Sequence, residues 1–200
     1  MKKYAPVQYK KAAVMVHGKS ERYLASYIYT NLHLPIVIID NNKGKNSIQI
    51  NGLQKILSGK PYNSLKSFAE AYSIEYDIKN KALKNFKLFI IMDTDDCSDK
   101  DREDYMSGRM FERSCLKDYI VPIYNSPNLE QVMIKAGIMT RKIPDSQKGS
   151  FYRKVFPINQ DPFSYDTLEQ ILIFSKKLIE VKETNLLKYV DYCISLINRV

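Results

Sequence analysis

One stretch limits the fold of this chain more than any other. Leu88-Phe89-Ile90-Ile91-Met92 follows Lys87 as an unbroken apolar run and stops on Asp93-Thr94-Asp95-Asp96. A strand wet on one face alternates apolar and polar residues, whereas one covered on both faces is continuously apolar, so the run predicts an interior strand of a parallel sheet. Open α/β sheets keep their sites just beyond the carboxyl ends of such strands, which is where these carboxylates fall. Asp93 and Asp95 lie two apart and point the same way in extended chain. Mg²⁺ takes hard oxygen donors, commonly one or two protein carboxylates with water and substrate phosphate completing its shell, so this pair is the candidate ligand set. Asp96, Ser98 and Asp99 read first as N-cap chemistry for the next helix.

The rest of the chain alternates strand and helix signals. Ala12-Ala13-Val14-Met15-Val16 predicts a strand closed by His17-Gly18-Lys19-Ser20, and Tyr23, Leu24, Tyr27, Ile28 and Leu32 give helical spacing over 21–32. Ile36-Val37-Ile38-Ile39 predicts a second strand, followed by a polar loop over 41–46 and a helix from Ser47 to Leu57. Residues 58–86 are polar and rich in Lys and Tyr, with a modest helical pattern around Leu65 to Ile74; they read as a cover or connection at the sheet edge. Tyr105, Met106, Met110, Phe111 and Cys115 recur at helical intervals and predict one exposed amphipathic helix within 97–118. Ile120-Val121-Pro122-Ile123-Tyr124 predicts a fourth strand, placed at an edge by Pro122. Asn125 to Asn128 then form a turn and cap before a helix over 129–136 ended by Gly137. The Pro and Gly of 140–166 predict a loop, and the apolar stripes of 167–199 one or two helices. The fold class expected is α/β, a compact Rossmann-type domain with a mostly parallel four-stranded sheet over 1–140, an insertion at 58–86, and C-terminal helices over 141–200.

Composition narrows the class of partner. Thirty-one Lys and Arg against 22 Asp and Glu give a net charge of +9, an excess that favours a polyanion through counterion release and steering. Cys97, Cys115 and Cys193 have no paired spacing, so neither a disulfide framework nor a zinc site is expected, and a reducing cytoplasmic setting is. No apolar stretch reaches the roughly 18 residues that span a bilayer, and none of signal-peptide length follows Met1-Lys2-Lys3-Tyr4, so no membrane association is expected.

Val14-Met15-Val16-His17-Gly18-Lys19-Ser20-Glu21 after the first strand and Asp93-Thr94-Asp95 after the third resemble the Toprim fold, whose pattern is an apolar strand ending in Glu-Gly-x-x-Asp/Glu followed later by Asp-x-Asp. Tyr124-Asn125-Ser126-Pro127-Asn128-Leu129-Glu130 further resembles the Asn-Pro-x-x-Glu segment of bacterial defence proteins of the RloB and AbiL type, which belong with the Toprim nucleases of the OLD group. The resemblance covers about 10–140. It implies a metal-dependent nuclease acting on RNA, tRNA included, or DNA: Glu21, Asp93, Asp95 and Glu130 as ligands of Mg²⁺ or Mn²⁺, and His17, Glu21, Asp93 and Asp95 as the catalytic set. It also implies an antiphage effector, toxic when active, governed by a separate ATPase subunit; a homodimer is a further expectation.

The chain departs from that pattern at His17, where the family has Glu. An imidazole transfers protons near neutral pH but suits Mn²⁺ or Zn²⁺ better than Mg²⁺. Three readings stand open: a working variant, an inactivating change, or a core-edge histidine with no chemical role. Glu21 serves either the metal or the dipole of its own helix, and Glu130 either the acidic cluster, a lysine, or a helix N-terminus. Gly18 and Lys19 open a helix whose N–H groups suit a phosphate. The Gly-Lys-Ser triplet is shared with Walker A loops, yet the upstream glycine is missing, which excludes ATP at this site. Lys43 and Lys45 are further candidates for a phosphate track, with a solvated face as the plainer alternative. A second class of function is a non-catalytic interaction module that binds a partner ATPase.

Overall fold

The computed structural model describes residues 8–158 and 165–197. The apolar runs become strands close to their expected limits. In chain order the elements are β1 (Ala12–Val16), α1 (Lys19–Asn31), β2 (Ile36–Ile39), a 3₁₀ turn (Ile50–Gly52), α2 (Leu53–Ser58), α3 (Leu65–Tyr72), β3 (Tyr76–Asp77), β4 (Ala82–Leu83), β5 (Lys87–Asp93), α4 (Asp99–Ser107), a second 3₁₀ turn (Arg109–Phe111), β6 (Ile120–Asn125), α5 (Leu129–Lys135), α6 (Asp145–Val155), α7 (Tyr165–Leu178) and α8 (Leu187–Ile197). Four strands form one wholly parallel sheet in the order β2-β1-β5-β6, and β3 and β4 pair as a small antiparallel ribbon. This is the α/β architecture expected from the alternation of signals, with helices after the sheet at the C-terminal end of the chain.

Side-chain alternation divides the sheet into two apolar faces. Ala12, Val14, Val16, Phe89 and Ile91 pack against α1, α5, α6, α7 and α8 through residues such as Leu24, Val132, Tyr152, Phe174 and Tyr189. Ala13, Met15, Leu88, Ile90 and Met92 pack against α2, α3 and α4 through Leu53, Phe68 and Tyr105. Burying one Leu or Phe side chain contributes roughly 1.5–3 kcal/mol, so both faces anchor the central pair β1 and β5 firmly. That pairing runs from Ala12 beside Lys87 to Val16 beside Ile91, and it brings the two carboxyl ends side by side.

Pro122 lies on edge strand β6 beside Ile90, as its missing N–H requires. The outer side of that edge is covered by the α7–α8 connection. Ser126 N–H donates to the Glu183 carbonyl at 2.8 Å, Tyr124 N–H donates to Asn185 Oδ1 at 2.9 Å, and Asn185 Nδ2 donates to the Pro122 carbonyl at 2.9 Å.

Several expected elements differ. The helix read over 97–118 ends at Ser107, because Gly108 adopts φ of 81° as its C-cap, and the chain continues as a 3₁₀ turn; its Tyr105 is buried rather than exposed. The helix read from Ser47 is the 3₁₀ turn and α2, which starts only at Leu53. Residues 58–86 hold α3, capped by the Ser64 hydroxyl on Ser67 N–H at 3.1 Å, and the β3–β4 ribbon. The ribbon's turn is organised by Asp77 Oδ1, which accepts from Lys79 N–H at 2.9 Å and Asn80 N–H at 3.0 Å. The loop read over 140–166 contains α6, while 159–164 lie outside the described residues. Pro144 is compatible with that helix because it stands just before the first turn. Tyr152 and Phe156 anchor α6 to α1, with ring centroids 6.3 Å from Tyr23 and 5.5 Å from Tyr27. No helix among the described residues is long and apolar enough to cross a membrane.

Candidate functional site

The carboxyl ends of β1 and β5 open into a cleft of about 580 Å³. His17, Glu21, Asp93, Asp95 and Glu130 all line it, together with Ser20, Asn128, Lys142, Lys148 and Tyr152. Parallel pairing sets this up: His17 N–H donates to the Ile91 carbonyl at 2.8 Å, so β1 ends beside β5 two residues before Asp93. Asp93 follows Phe89 and Ile91 in the alternation that faces α1, and Glu21 sits in the first turn of that helix.

Glu21 is buried, with one oxygen used and one free. Its Oε2 accepts from Gly18 N–H at 2.9 Å, which caps α1; its Oε1 is buried with no hydrogen-bond partner among the described residues. Burial is the main reason its carboxyl is raised to about 7, with Lys148 opposing and Asp95 reinforcing the rise. Asp93 Oδ1 is held from two sides, by Leu129 N–H at 3.0 Å and Asn125 Nδ2 at 3.2 Å. Burial first, and then the nearby Glu21 carboxylate, pushes the Asp93 carboxyl well above the ordinary range, while His17 and the two hydrogen bonds act the other way. Asp95 is exposed at the rim, and its Oδ2 accepts from Asn128 Nδ2 at 2.8 Å. Asn128 is also the N-cap of α5, accepting from Gln131 N–H at 3.1 Å. His17 Nδ1 is buried without a hydrogen-bond partner among the described residues.

The described side chains of the cleft do not form a closed protein cage for a metal ion. Among the described residues no three His, Cys, Asp or Glu side chains are grouped to hold one ion. Mg²⁺ is commonly held by one or two carboxylates and retains several waters. A desolvated carboxylate oxygen without a donor, beside the half-buried Asp93 carboxylate, is the local chemistry that such an ion would relieve. Of the carboxylates lining the cleft, one or two from among Asp93, Asp95 and Glu21 could hold such an ion.

The remaining candidates fall in different places. Glu130 is buried and engaged, accepting from Ile143 N–H and lying 3.6 Å from Lys148 Nζ; the lysine bridge is present, and the residue also stands in the first turn of α5 and lines the cleft. Gly18 is buried, and its N–H is taken by Glu21 rather than presented to the cleft. Lys19 is exposed and its ammonium rests against Gly149 of α6, where an added Cβ would stand 3.2 Å from Nζ. Lys43 and Lys45 are exposed on the loop after β2 and do not line the cleft. Between them Gly44, at φ of 74°, packs directly over Gly18 and Lys19; a Cβ there would come within 3.0 Å of the Lys19 Cα. Lys142, Lys148 and Tyr152 were not singled out by sequence reasoning because they lie in the stretch read as loop; the Tyr-x-x-x-Phe spacing of 152 and 156 is the signal that marks a helical face there.

No family model, curated protein or solved structure gives a significant match to this chain.

Proposed function

We propose that this chain is a Toprim-type scaffold for metal-assisted phosphodiester hydrolysis, a nuclease or nuclease-like effector of bacterial antiphage defence that acts on RNA, tRNA included, or DNA. One observation carries the reading: Glu21, Asp93 and Asp95, from two separate motifs, line a single cleft at the adjoining carboxyl ends of β1 and β5. Bound there, Mg²⁺ or Mn²⁺ supplies charge stabilisation to the attacking and leaving oxygens of a phosphodiester. The chain's own residues set the conditions. Asp93 and Asp95 present oxygens fixed by Leu129, Asn125 and Asn128. His17, at the position of the family's Glu, offers an imidazole within the same cleft for proton transfer. Lys142 lines the same cleft and suits a flanking phosphate of a polyanion, in keeping with the net charge of +9. An ATPase partner and a homodimer belong to this reading as the resemblance implies them, and three free cysteines suit a reducing cytoplasm.

A second reading, a silent module that binds a partner ATPase, is favoured by one feature. The Lys148 ammonium lies beside Glu130 and acts electrostatically on Glu21, so a protein cation already stands within the acidic cleft. A cleavage assay on tRNA, single-stranded RNA and duplex DNA separates the two readings. Replacing one group that stabilises charge changes turnover by about 100-fold or more, so His17→Glu is expected to raise Mg²⁺-dependent cleavage by that order and Asp93→Ala to return it to background. Absence of metal-dependent cleavage in both the parent and His17→Glu, on all three substrates, overturns the nuclease reading in favour of the silent module.

A further inference from the structure

The connection between α7 and α8 reaches the candidate site through one asparagine. Asn125, the last residue of β6, is fully buried and stands in register beside Asp93. Its Nδ2 donates to Asp93 Oδ1 at 3.2 Å, and its Oδ1 accepts from Thr184 Oγ1 at 3.0 Å. The Thr184 hydroxyl also lies 2.8 Å from the Tyr124 carbonyl and accepts from Leu186 N–H at 3.0 Å, so its single proton is shared between two oxygens of β6. A short antiparallel bridge between Asn125 and Thr184 holds the two backbones together.

This arrangement fixes which way the Asn125 amide faces. Turned over, it would set its carbonyl oxygen against the Asp93 carboxylate, losing the Nδ2–Asp93 hydrogen bond and placing oxygen against oxygen; the Thr184 hydroxyl, donating to Oδ1, anchors the other end of the amide in the orientation seen. With the amide so oriented, Asp93 Oδ1 is held by Asn125 on one side and Leu129 N–H on the other. The second carboxylate oxygen is then the one left to face the cleft. We infer that Thr184 is a positioning residue of the site, acting through Asn125 to fix the Asp93 carboxylate so that Oδ2 is presented to a divalent cation. The inference rests on the cation reading of Asp93 above, and it makes the C-terminal helical pair a working part of the centre. Partners that orient a metal's direct ligands commonly alter affinity tenfold or more when removed.

The test uses the full chain, Mn²⁺ alone as probe, electron paramagnetic resonance for binding, and the side-chain amide signals of Asn125 in a ¹⁵N–¹H spectrum. Thr184→Val removes the hydroxyl at constant shape. It is expected to move the Asn125 amide signals and weaken Mn²⁺ binding roughly 10-fold to 100-fold, whereas Thr184→Ser, which keeps the hydroxyl, stays within about twofold of the parent. If Thr184→Val does not fold, Thr184→Ala carries the same expectation. Unchanged Asn125 signals together with unchanged Mn²⁺ affinity in the hydroxyl-free variant overturn the proposal, and so does equal loss in Thr184→Ser. A parent that binds no Mn²⁺ while Thr184→Val still moves the Asn125 signals supports the hold of Thr184 on Asn125 and overturns the cation reading alone.

Discussion

Tyr105 on one face of the sheet and Glu21 on the other are both polar side chains withdrawn from water, at 0% and 2% exposure. They are treated differently. The Tyr105 hydroxyl reaches the carbonyls of Ile90 at 2.6 Å and Ile123 at 2.9 Å, bracing α4 against β5 and β6. Glu21 keeps one oxygen without a donor, in the field of Asp93 and Asp95, and its carboxyl rises to about 7. A buried polar group whose bonds are complete is part of the packing; one left incomplete beside like charges costs stability and is kept where chemistry needs it. The α2–α4 face thus completes its buried polar bonds, while the α1 face leaves one incomplete at its carboxyl-end rim, where the proposed site lies.

The largest expected effect that breaks or sharpens this contrast is Glu21→Gln. The folded protein holds the Glu21 proton more tightly than the unfolded chain, whose carboxyl titrates near 4.5. The contribution is therefore fully present below about pH 4.5 and is lost as pH rises through about 7. Denaturant titrations are expected to show Glu21→Gln more stable than the parent by up to roughly 3 kcal/mol at pH 8 and about equal to it at pH 4. A parent whose stability is flat across that window removes the contrast. Tyr105→Phe comes next. It leaves the two carbonyls without their donor, and a loss of about 1–2 kcal/mol, constant between pH 5 and pH 9, is expected in the same titrations. The smallest effect expected is that of the ion: at ten times its dissociation constant Mg²⁺ is expected to add about 1.4 kcal/mol at pH 8 by mass action, and less at pH 5, where the Glu21 carboxyl holds its proton. Equal stabilisation at both pH values, read as melting shifts, places binding outside the Glu21 and Asp93 cleft.

Where local pattern and tertiary demand coincide, the chain is readable. β1 and β2 have the limits that their apolar runs suggest, and β5 extends its run by one residue at each end, because a strand covered on both faces leaves an uninterrupted apolar trace. The joint placement of Glu21, Asp93 and Asp95 was legible for the same reason, since parallel strands deliver their carboxyl ends to one rim. What was hidden depends on distant contacts. α6 carries Gly149 and follows Pro144, both of which suggest a loop, and its helical state is secured by Tyr152 and Phe156 against Tyr23 and Tyr27. Lys142, Lys148 and Tyr152 joined the cleft with it. Thr184 carries no motif at all, and its tie to Asn125 spans 59 positions of chain. Lys43 and Lys45, singled out for charge alone, lie on an exposed loop away from the cleft, because charge marks solvation more often than a ligand.

The asparagine at 185 has a consequence for how this molecule meets its own kind. With Oδ1 on the Tyr124 N–H and Nδ2 on the Pro122 carbonyl, one carboxamide imitates a peptide unit and fills two outward hydrogen-bonding positions of the last strand. An intruding chain finds those two positions already taken. Strand-by-strand addition is thereby opposed at this border, which leaves β2 as the other edge of the sheet.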